Sequence, residues 1–171
     1  LGVATKDRQF ETITQATFVQ SLIRYICKNR AQEMEDRDLY LQNKIPLKID
    51  SDYSKQLIFR NMFIEEQDYD IANILWNYFD AVKERWPKAW DYRGRGLMLN
   101  KTNGFRGLMR FLRNAYLYLT VPPGVPSKEQ FYSIFERIDL TDNDFSVDEF
   151  LPGTSGESRL YQILKEKSEI F

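Results

Sequence analysis

The stretch from Asp68 to Pro87 limits the possible folds of this chain more than any other. Apolar side chains recur there at intervals of three and four residues, the spacing of one face of an α-helix. Acids at its start and bases at its end suit the helix dipole, and the proline predicts its end. Such a face must be buried against other elements. The predicted inward residues are Ile71, Ile74, Leu75, Tyr78, Phe79, Val82 and Trp86.

Five further segments carry helical patterns of the same kind. We expect these helices after an N-cap at Thr14, from about Asp52 to Glu66, from Gly104 or Phe105 to the prolines that begin at Pro122, after an N-cap at Ser127, and from about Ser155 to Ser168. In the first helix, the residues predicted to face inward are Phe18, Val19, Leu22, Ile23 and Ile26. In the second, they are Leu57, Ile58, Met62 and Phe63.

The stretches between these helices are predicted to be irregular. The charged residues from Asn29 to Asp38 indicate a loop or a frayed helical turn. Glycines and charges over 88–96 indicate a second loop, and Leu97–Leu99 is predicted as a short strand or extended segment. The sequence therefore predicts one all-α domain over residues 1–171, with about six helices and at most a few short strands.

Hydrophobic residues make up 43% of the 171 residues, which is enough to form the core of a single domain. No apolar run approaches the roughly 20 residues that span a bilayer, and the start of the chain does not resemble a signal peptide. Because the chain begins without methionine, we interpret it as part of a longer protein. A lone cysteine, Cys27, favours a reducing compartment, so we predict a cytoplasmic protein without membrane contact.

The chain contains no histidine, which excludes histidine-based triads, histidine metal sites and the commonest general base. One cysteine cannot supply a structural zinc site. Acids are plentiful, but no spacing selects a catalytic pair. The sequence therefore predicts no catalytic residue, no metal and no cofactor. It favours a chain that is not itself an enzyme, without deciding the question.

Positive charge is concentrated between Lys83 and Arg113. This segment holds nine basic and two acidic residues, a net charge of +7, whereas the rest of the chain has 15 basic and 23 acidic residues, a net charge of −8. Basic side chains interleaved with aromatic ones suit phosphates and unstacked bases, although a solvated face beside core aromatics would give the same pattern. The interleaved aromatics are Trp86, Trp90, Tyr92 and Phe105. The candidate nucleic-acid-binding residues are Arg93, Arg95, Lys101, Arg106, Arg110 and Arg113.

Three of these candidates share one helical face, because Arg106, Arg110 and Arg113 are four and three residues apart. Stacked like charges repel one another, and an anion bound between them would relieve the repulsion. The alternative is internal pairing with the acidic loop from Asp139 to Asp144. That loop resembles the start of a calcium site, but neither register places the required glycine and glutamate, so helix-capping aspartates are the preferred interpretation.

The glycines from Gly94 to Gly104 allow a phosphate-binding loop, but Lys101-Thr102 follows Gly96 at the wrong distance for the P-loop pattern. A tight turn with a helix start is the alternative. In that turn we predict that Gly104 adopts a backbone conformation that side chains disfavour.

Several segments together resemble the C-terminal part of DGQHR-domain proteins, a family that includes DndB-like regulators of DNA phosphorothioation and bacterial defence islands. The most specific is the Asn-Lys-Thr-Asn-Gly-Phe run at 100–105. The Asp-Gly-Gln-His-Arg motif that names the family is absent, so the resemblance implies that a ParB-like N-terminal part lies outside this chain. The segments that carry the resemblance are Ile13–Val19, Asp70–Val82, Trp86–Trp90, Leu99–Leu112 and Phe150–Gly156.

The resemblance and the basic segment together predict a nucleic-acid-associated regulatory domain of a bacterial DNA-modification or phage-defence system. Such a domain would bind DNA and other proteins of the same gene cluster. Two alternatives stay open: part of a nucleotide-hydrolysing or DNA-processing enzyme completed by the missing region, or a helical domain that docks a partner protein.

Overall fold

Eight α-helices and one 3₁₀ turn form the part of the chain that the computed structural model describes, residues 13–50, 55–151 and 153–170. Within those residues, Leu97 and Ser146 form an isolated antiparallel bridge and there is no sheet. The predicted all-α class is confirmed, with 61% of residues helical. The helices are α1 (Gln15–Ile23), α2 (Arg30–Leu41), α3 (Arg60–Ile64), α4 (Asp68–Arg85), α5 (Pro87–Asp91), α6 (Thr102–Leu119), α7 (Lys128–Glu136) and α8 (Thr154–Ser168), and the 3₁₀ turn is Asp142–Asp144.

Helices α4, α6, α7 and α8 surround the main core, with α4 packed on α7 and α6 packed on α8. Tyr78 of α4 is fully buried, and its hydroxyl donates a hydrogen bond to the Leu108 carbonyl at 2.7 Å. Its ring lies 5.3 Å from both Phe131 and Phe135. The predicted inward face of α4 is confirmed except at Phe79, which is partly buried. These four helices form the bundle to which the other elements attach.

Pro87 does not lead into a loop as predicted, because it begins the short helix α5. Proline is tolerated at the first helical position, where its missing N–H would have had no helical partner. The acidic connection holds this junction in place. The Trp86 Nε1–H donates to the Leu140 carbonyl at 2.8 Å, and the Ala89 N–H donates to Asp142 Oδ1 at 2.7 Å. The interpretation of this connection as a source of helix-capping aspartates is confirmed.

Gly104 lies inside α6, which begins at Thr102, and its φ is not positive, so the predicted reason for a glycine was wrong. The physical reason is a close approach of backbone to backbone. A Cβ at this position would overlap the carbonyl oxygens of Met98 and Leu99. The N-cap at Ser127 is confirmed: Ser127 and Gln130 form a reciprocal capping box at the start of α7.

Helices α1, α2 and α3 form a layer beside the bundle, and here two predictions were wrong. The stretch predicted as a loop is helix α2, which Asn29 caps by accepting the Gln32 N–H at 3.0 Å. The helix predicted from about 52 to 66 is the five-residue α3; residues 51–54 lie outside the described part. Residues 55–59 form turns rather than a helix. The Phe59 N–H donates to the distant Tyr25 carbonyl at 3.0 Å instead of to a carbonyl one helical turn earlier.

The predicted inward face of α1 is confirmed in part. Phe18 and Leu22 are half-buried against the core and Ile26 is buried, whereas Val19 is 48% exposed. The buried residues within the helix itself are Thr17 and Ser21, which the prediction missed. Small polar side chains allow α1 to lie close to α6, and the Ser21 hydroxyl is satisfied by the Thr17 carbonyl at 2.8 Å. The apolar stripe of α1 is consequently only partly covered.

A buried ion pair connects α2 to α3. Arg60 and Asp36 are 2% and 7% exposed, and the Arg60 Nη2 donates to Asp36 Oδ1 at 3.0 Å and to the Leu47 carbonyl at 3.0 Å. No helix in the described part of the chain is long and apolar enough to cross a membrane.

Candidate anion-binding site

Three guanidinium groups converge on a pocket of about 210 Å³ between α1, α6 and α8. Arg24 comes from the C-terminal cap of α1, and Arg110 and Arg113 come from consecutive turns of α6. We call this site the arginine pocket. It is smaller than the roughly 300–1,000 Å³ pockets that enclose whole drug-sized ligands. Its complete lining is Arg24, Tyr25, Gln56, Arg110, Arg113 and Tyr161.

Tyr25 lies where these positive charges meet. Its hydroxyl donates to the carbonyl of Met109, one turn of α6 before Arg113. Burial raises the pKa of Tyr25 to about 12, although Arg113, Arg24 and Arg110 act in the opposite direction by favouring the phenolate. The tyrosine is therefore neutral at physiological pH. It positions α6 against α1 and does not supply a counter-charge to the arginines.

Arg110 is held in place by contacts with α8. Its Nη1 donates to the Ser158 hydroxyl at 2.9 Å and lies 3.5 Å from a carboxylate oxygen of the buried Glu157. Its guanidinium also lies 4.6 Å from the centre of the Tyr161 ring, a cation–π distance. One acid thus offsets one of the three cations, and the described residues of the pocket keep a net charge of +2.

Arg24 and Arg113 make no ion pair and no side-chain hydrogen bond to any residue that the structure describes. Each guanidinium carries five N–H donors in a fork that matches the oxygens of a phosphate or carboxylate. Among the described residues, the arrangement thus combines one positioned arginine with two whose donors have no side-chain acceptor, which is the chemistry of an anion-binding site.

The six predicted cations do not all meet at this site. Arg110 and Arg113 line the pocket, and Arg106 lies on the same helix one turn before Arg110. Lys101 precedes α6 and is half-buried, while Arg93 and Arg95 are exposed in the loop before it; none of the three lines the pocket.

The prediction missed Arg24, which is 86 residues before Arg110 in the chain. No local signal marks it, since it lies outside the basic segment and carries no motif. The alternative of internal pairing is confirmed for Arg110, but the acid that pairs with it is not in the predicted loop from Asp139 to Asp144. Arg110 is paired with Glu157 of α8, whereas Asp142 and Asp144 bind the Ala89 N–H and Thr141.

The aromatic residues of the basic segment belong mostly to the core. Trp86 is fully buried and Phe105 is 3% exposed, so neither can stack on a base. Trp90 is half-buried against Phe79, at 5.7 Å between ring centres, and Tyr92 is 37% exposed. For Trp86 and Phe105 the interpretation as core aromatics is therefore correct, and the base-stacking prediction was wrong.

The glycine-rich loop over 94–104 closes on itself. The Asn100 side-chain amide donates to the carbonyls of Trp90 and Tyr92, both at 2.6 Å. The turn before α6 is filled by its own backbone at Gly104, as described above. These contacts match a tight turn with a helix start, the alternative to a phosphate-binding loop.

Comparisons with known proteins identify no relative: the chain matches no family model, no curated protein and no solved structure. The resemblance to DGQHR-domain proteins therefore stays a prediction.

Proposed function

We propose that this domain binds the phosphate backbone of DNA through the arginine pocket, as the nucleic-acid-associated part of a regulatory protein of a bacterial DNA-modification or defence system. The observation that carries the proposal is the convergence of Arg24, Arg110 and Arg113 on one small pocket. Phosphate groups are the anions that arginine forks bind most readily in a nucleic acid, and such contacts position a protein without reading its sequence.

The position of Arg106 supports a surface longer than the pocket itself. It lies about 6 Å along the α6 axis from Arg110, and successive phosphates of one DNA strand are spaced on a similar scale. A strand that placed one phosphate in the pocket would bring a neighbouring one towards Arg106. This face of α6 is therefore the expected contact, and the loop residues Arg93 and Arg95 are not.

The enzyme alternative loses its motivating feature, because the loop over 94–104 that suggested a nucleotide site is occupied by its own backbone and side chains. The docking alternative concerns a different face of the molecule and is taken up below.

The proposal is tested by fluorescence anisotropy with labelled duplex and single-stranded DNA of unrelated sequences, at about 50 and 200 mM salt. The wild-type chain should bind with an affinity that falls as salt rises. Arg24→Ala and Arg113→Ala should each weaken binding to all sequences alike and lower the log–log salt slope by about one unit. Their melting temperatures should change little, because neither side chain has a protein partner among the described residues.

Arg137→Ala is the matched control. Arg137 is an exposed arginine of the C-terminal cap of α7 that lies 5.6 Å from the Tyr118 ring and does not line the pocket. The Arg137→Ala variant should bind DNA with the wild-type affinity. Arg110→Ala should lose both affinity and stability, because it also breaks the contacts to Glu157 and Ser158. Equal affinities of the wild type, Arg24→Ala and Arg113→Ala would overturn the proposal.

A further inference from the structure

The partly covered apolar stripe of α1 forms the shared wall of two adjoining grooves. One groove, of about 640 Å³, runs between α1 and α4, and the other, of about 500 Å³, runs between α1 and α2. Leu22, Ile26 and Phe63 line both, so the two grooves form a continuous surface across α1. We call this surface the apolar face.

The side of the apolar face along α4 is aromatic. Phe18 and Trp90 line it, and Phe79 forms its floor, with its ring stacked on Phe105 at 5.3 Å between centres. Trp76 stands at its edge with 75% of its surface exposed. Large aromatic side chains at such positions contribute a disproportionate share of binding energy in protein interfaces.

The side along α2 is aliphatic. Val19 and Ile23 of α1 face Tyr40 and Leu41 of α2, and Leu41 is 75% exposed. Single exposed apolar side chains are ordinary in proteins, but a contiguous group in a concave surface is typical of an interaction site.

Acids border this face. The turn between α3 and α4 carries Glu65 and Glu66, and the first turn of α4 adds Asp68 and Asp70. This segment contains no basic residue, and Asp68 lines the groove. Lys48 pairs with Glu65 and offsets one of these charges. We call this segment, residues 65–70, the acidic turn.

The other charged groups of the rim are largely matched within the chain. Lys83 lies 3.9 Å from Asp91, and Arg37 lies 3.1 Å from Asp38. On the opposite side of α1 from the acidic turn, Glu33 of α2 adds a further acid to the lining. The border of the apolar face is therefore negative overall.

We propose that the apolar face binds one amphipathic α-helix of a protein partner, with basic residues beside its apolar stripe. A helix lying in an apolar groove presents residues at i, i+3, i+4 and i+7 to it. The basic residues of that helix would pair with the acidic turn.

The charge argues against two other occupants. In a symmetric dimer the same patch meets itself, so the acidic turns would be brought towards each other and repel. A nucleic acid carries the same sign of charge as the border and would also be repelled. The arginine pocket and the apolar face thus suit different classes of partner.

The experiment uses the whole chain and three synthetic 18-residue helical peptides of equal length. The first has a leucine stripe flanked by lysines, the second has the same stripe flanked by glutamates, and the third has the composition of the first in scrambled order. Binding is followed by titration calorimetry and by the tryptophan fluorescence of the protein. The lysine-flanked peptide should bind at least about tenfold more tightly than each of the other two.

Trp76→Ser should reduce the affinity for the first peptide by about tenfold or more, whereas Val121→Ser, at a residue 79% exposed outside the grooves, should leave it unchanged. Asp68→Asn should make binding less dependent on salt. Both groove variants should keep the wild-type melting temperature and DNA affinity. Equal binding of the scrambled peptide, an unchanged affinity of Trp76→Ser, or a concentration-dependent dimer in sedimentation that Trp76→Ser abolishes would each overturn the proposal.

Discussion

Helices α1 and α4 carry similar apolar stripes but bury them to different extents. In α4 the stripe is the centre of the bundle, with Ile74 and Tyr78 fully buried. In α1 the stripe is only partly covered: Phe18 lies 6.1 Å from Phe105 of α6 between ring centres, whereas Val19 is exposed. The difference teaches that a helical pattern defines a face, and that the neighbours available decide whether this face becomes core or surface.

The two regions are also stabilised differently. The bundle is held by aromatic and aliphatic packing around Tyr78, Phe131 and Phe135. The layer of α1, α2 and α3 depends on buried polar contacts: the Asp36–Arg60 pair and the Tyr25 hydroxyl on the Met109 carbonyl. These polar contacts add to the packing of Phe59 and Met62, which are buried in the same core. Polar contacts are directional, so they fix the orientation of a layer whose apolar stripe on α1 is only partly covered.

The largest effect is expected from Asp36→Ala. This change leaves the Arg60 guanidinium buried without its counter-ion, so the free energy of unfolding should fall by about 3–5 kcal/mol in urea denaturation. Asp38→Ala is the control in the same helix. Asp38 pairs with Arg37 at the surface, at 3.1 Å, and its loss should cost less than about 1 kcal/mol. Similar losses for the two variants would mean that the buried pair does not hold the layer.

A smaller loss, about 3 kcal/mol, is expected for Gly104→Ala in the bundle, because the added Cβ would overlap two backbone carbonyls that cannot rotate away. Gly94→Ala tests the same substitution where the neighbour is the Tyr92 side chain, whose exposed ring can move. The free energy of unfolding of that variant should lie within about 0.5 kcal/mol of the wild-type value. A harmless Gly104→Ala would contradict the close approach at the start of α6.

Tyr25→Phe should lower the free energy of unfolding by about 1 kcal/mol at pH 7, the typical net contribution of one hydrogen bond. The pKa of Tyr25 is raised to about 12 from 10 in the unfolded chain, so the stability it contributes is complete below pH 10 and is lost as the pH rises towards 12. The deficit of the variant, measured by denaturation at several pH values, should therefore shrink over that window. A deficit independent of pH would show that the hydroxyl is not buried.

The smallest effect is expected for Ile23→Ala on the partly covered stripe of α1. The free energy of unfolding should fall by roughly 0.5 kcal/mol, because the removed side-chain atoms bury little apolar surface and alanine favours the helix. Ile74→Ala, at a fully buried position of α4, is the matched substitution and should cost about 2–5 kcal/mol. Equal losses at the two isoleucines would remove the contrast between the two regions.

The candidate site was partly predictable from sequence. Arg110 and Arg113 could be placed on one side of a helix because their spacing and the apolar pattern of α6 are local properties. The position of Arg24 in the pocket and the pairing of Glu157 with Arg110 could not be predicted, because both residues come from helices far away in the chain. The base-stacking prediction was wrong for Trp86 and Phe105 because charge patterning does not tell whether an aromatic neighbour points to solvent or to the core.

By itself, the sequence determined what depends on neighbours within a few residues: the helical class, the α4 stripe and the capping box at Ser127. Tertiary structure decided the helical state of the charged stretch from Asn29 to Asp38, whose Asp36 is buried against Arg60. It also decided which residues of the α1 stripe are covered. It also brought three arginines to one pocket. The physical reason is that periodicity fixes which side chains share a face, whereas burial and electrostatic pairing depend on groups that the fold brings from distant parts of the chain.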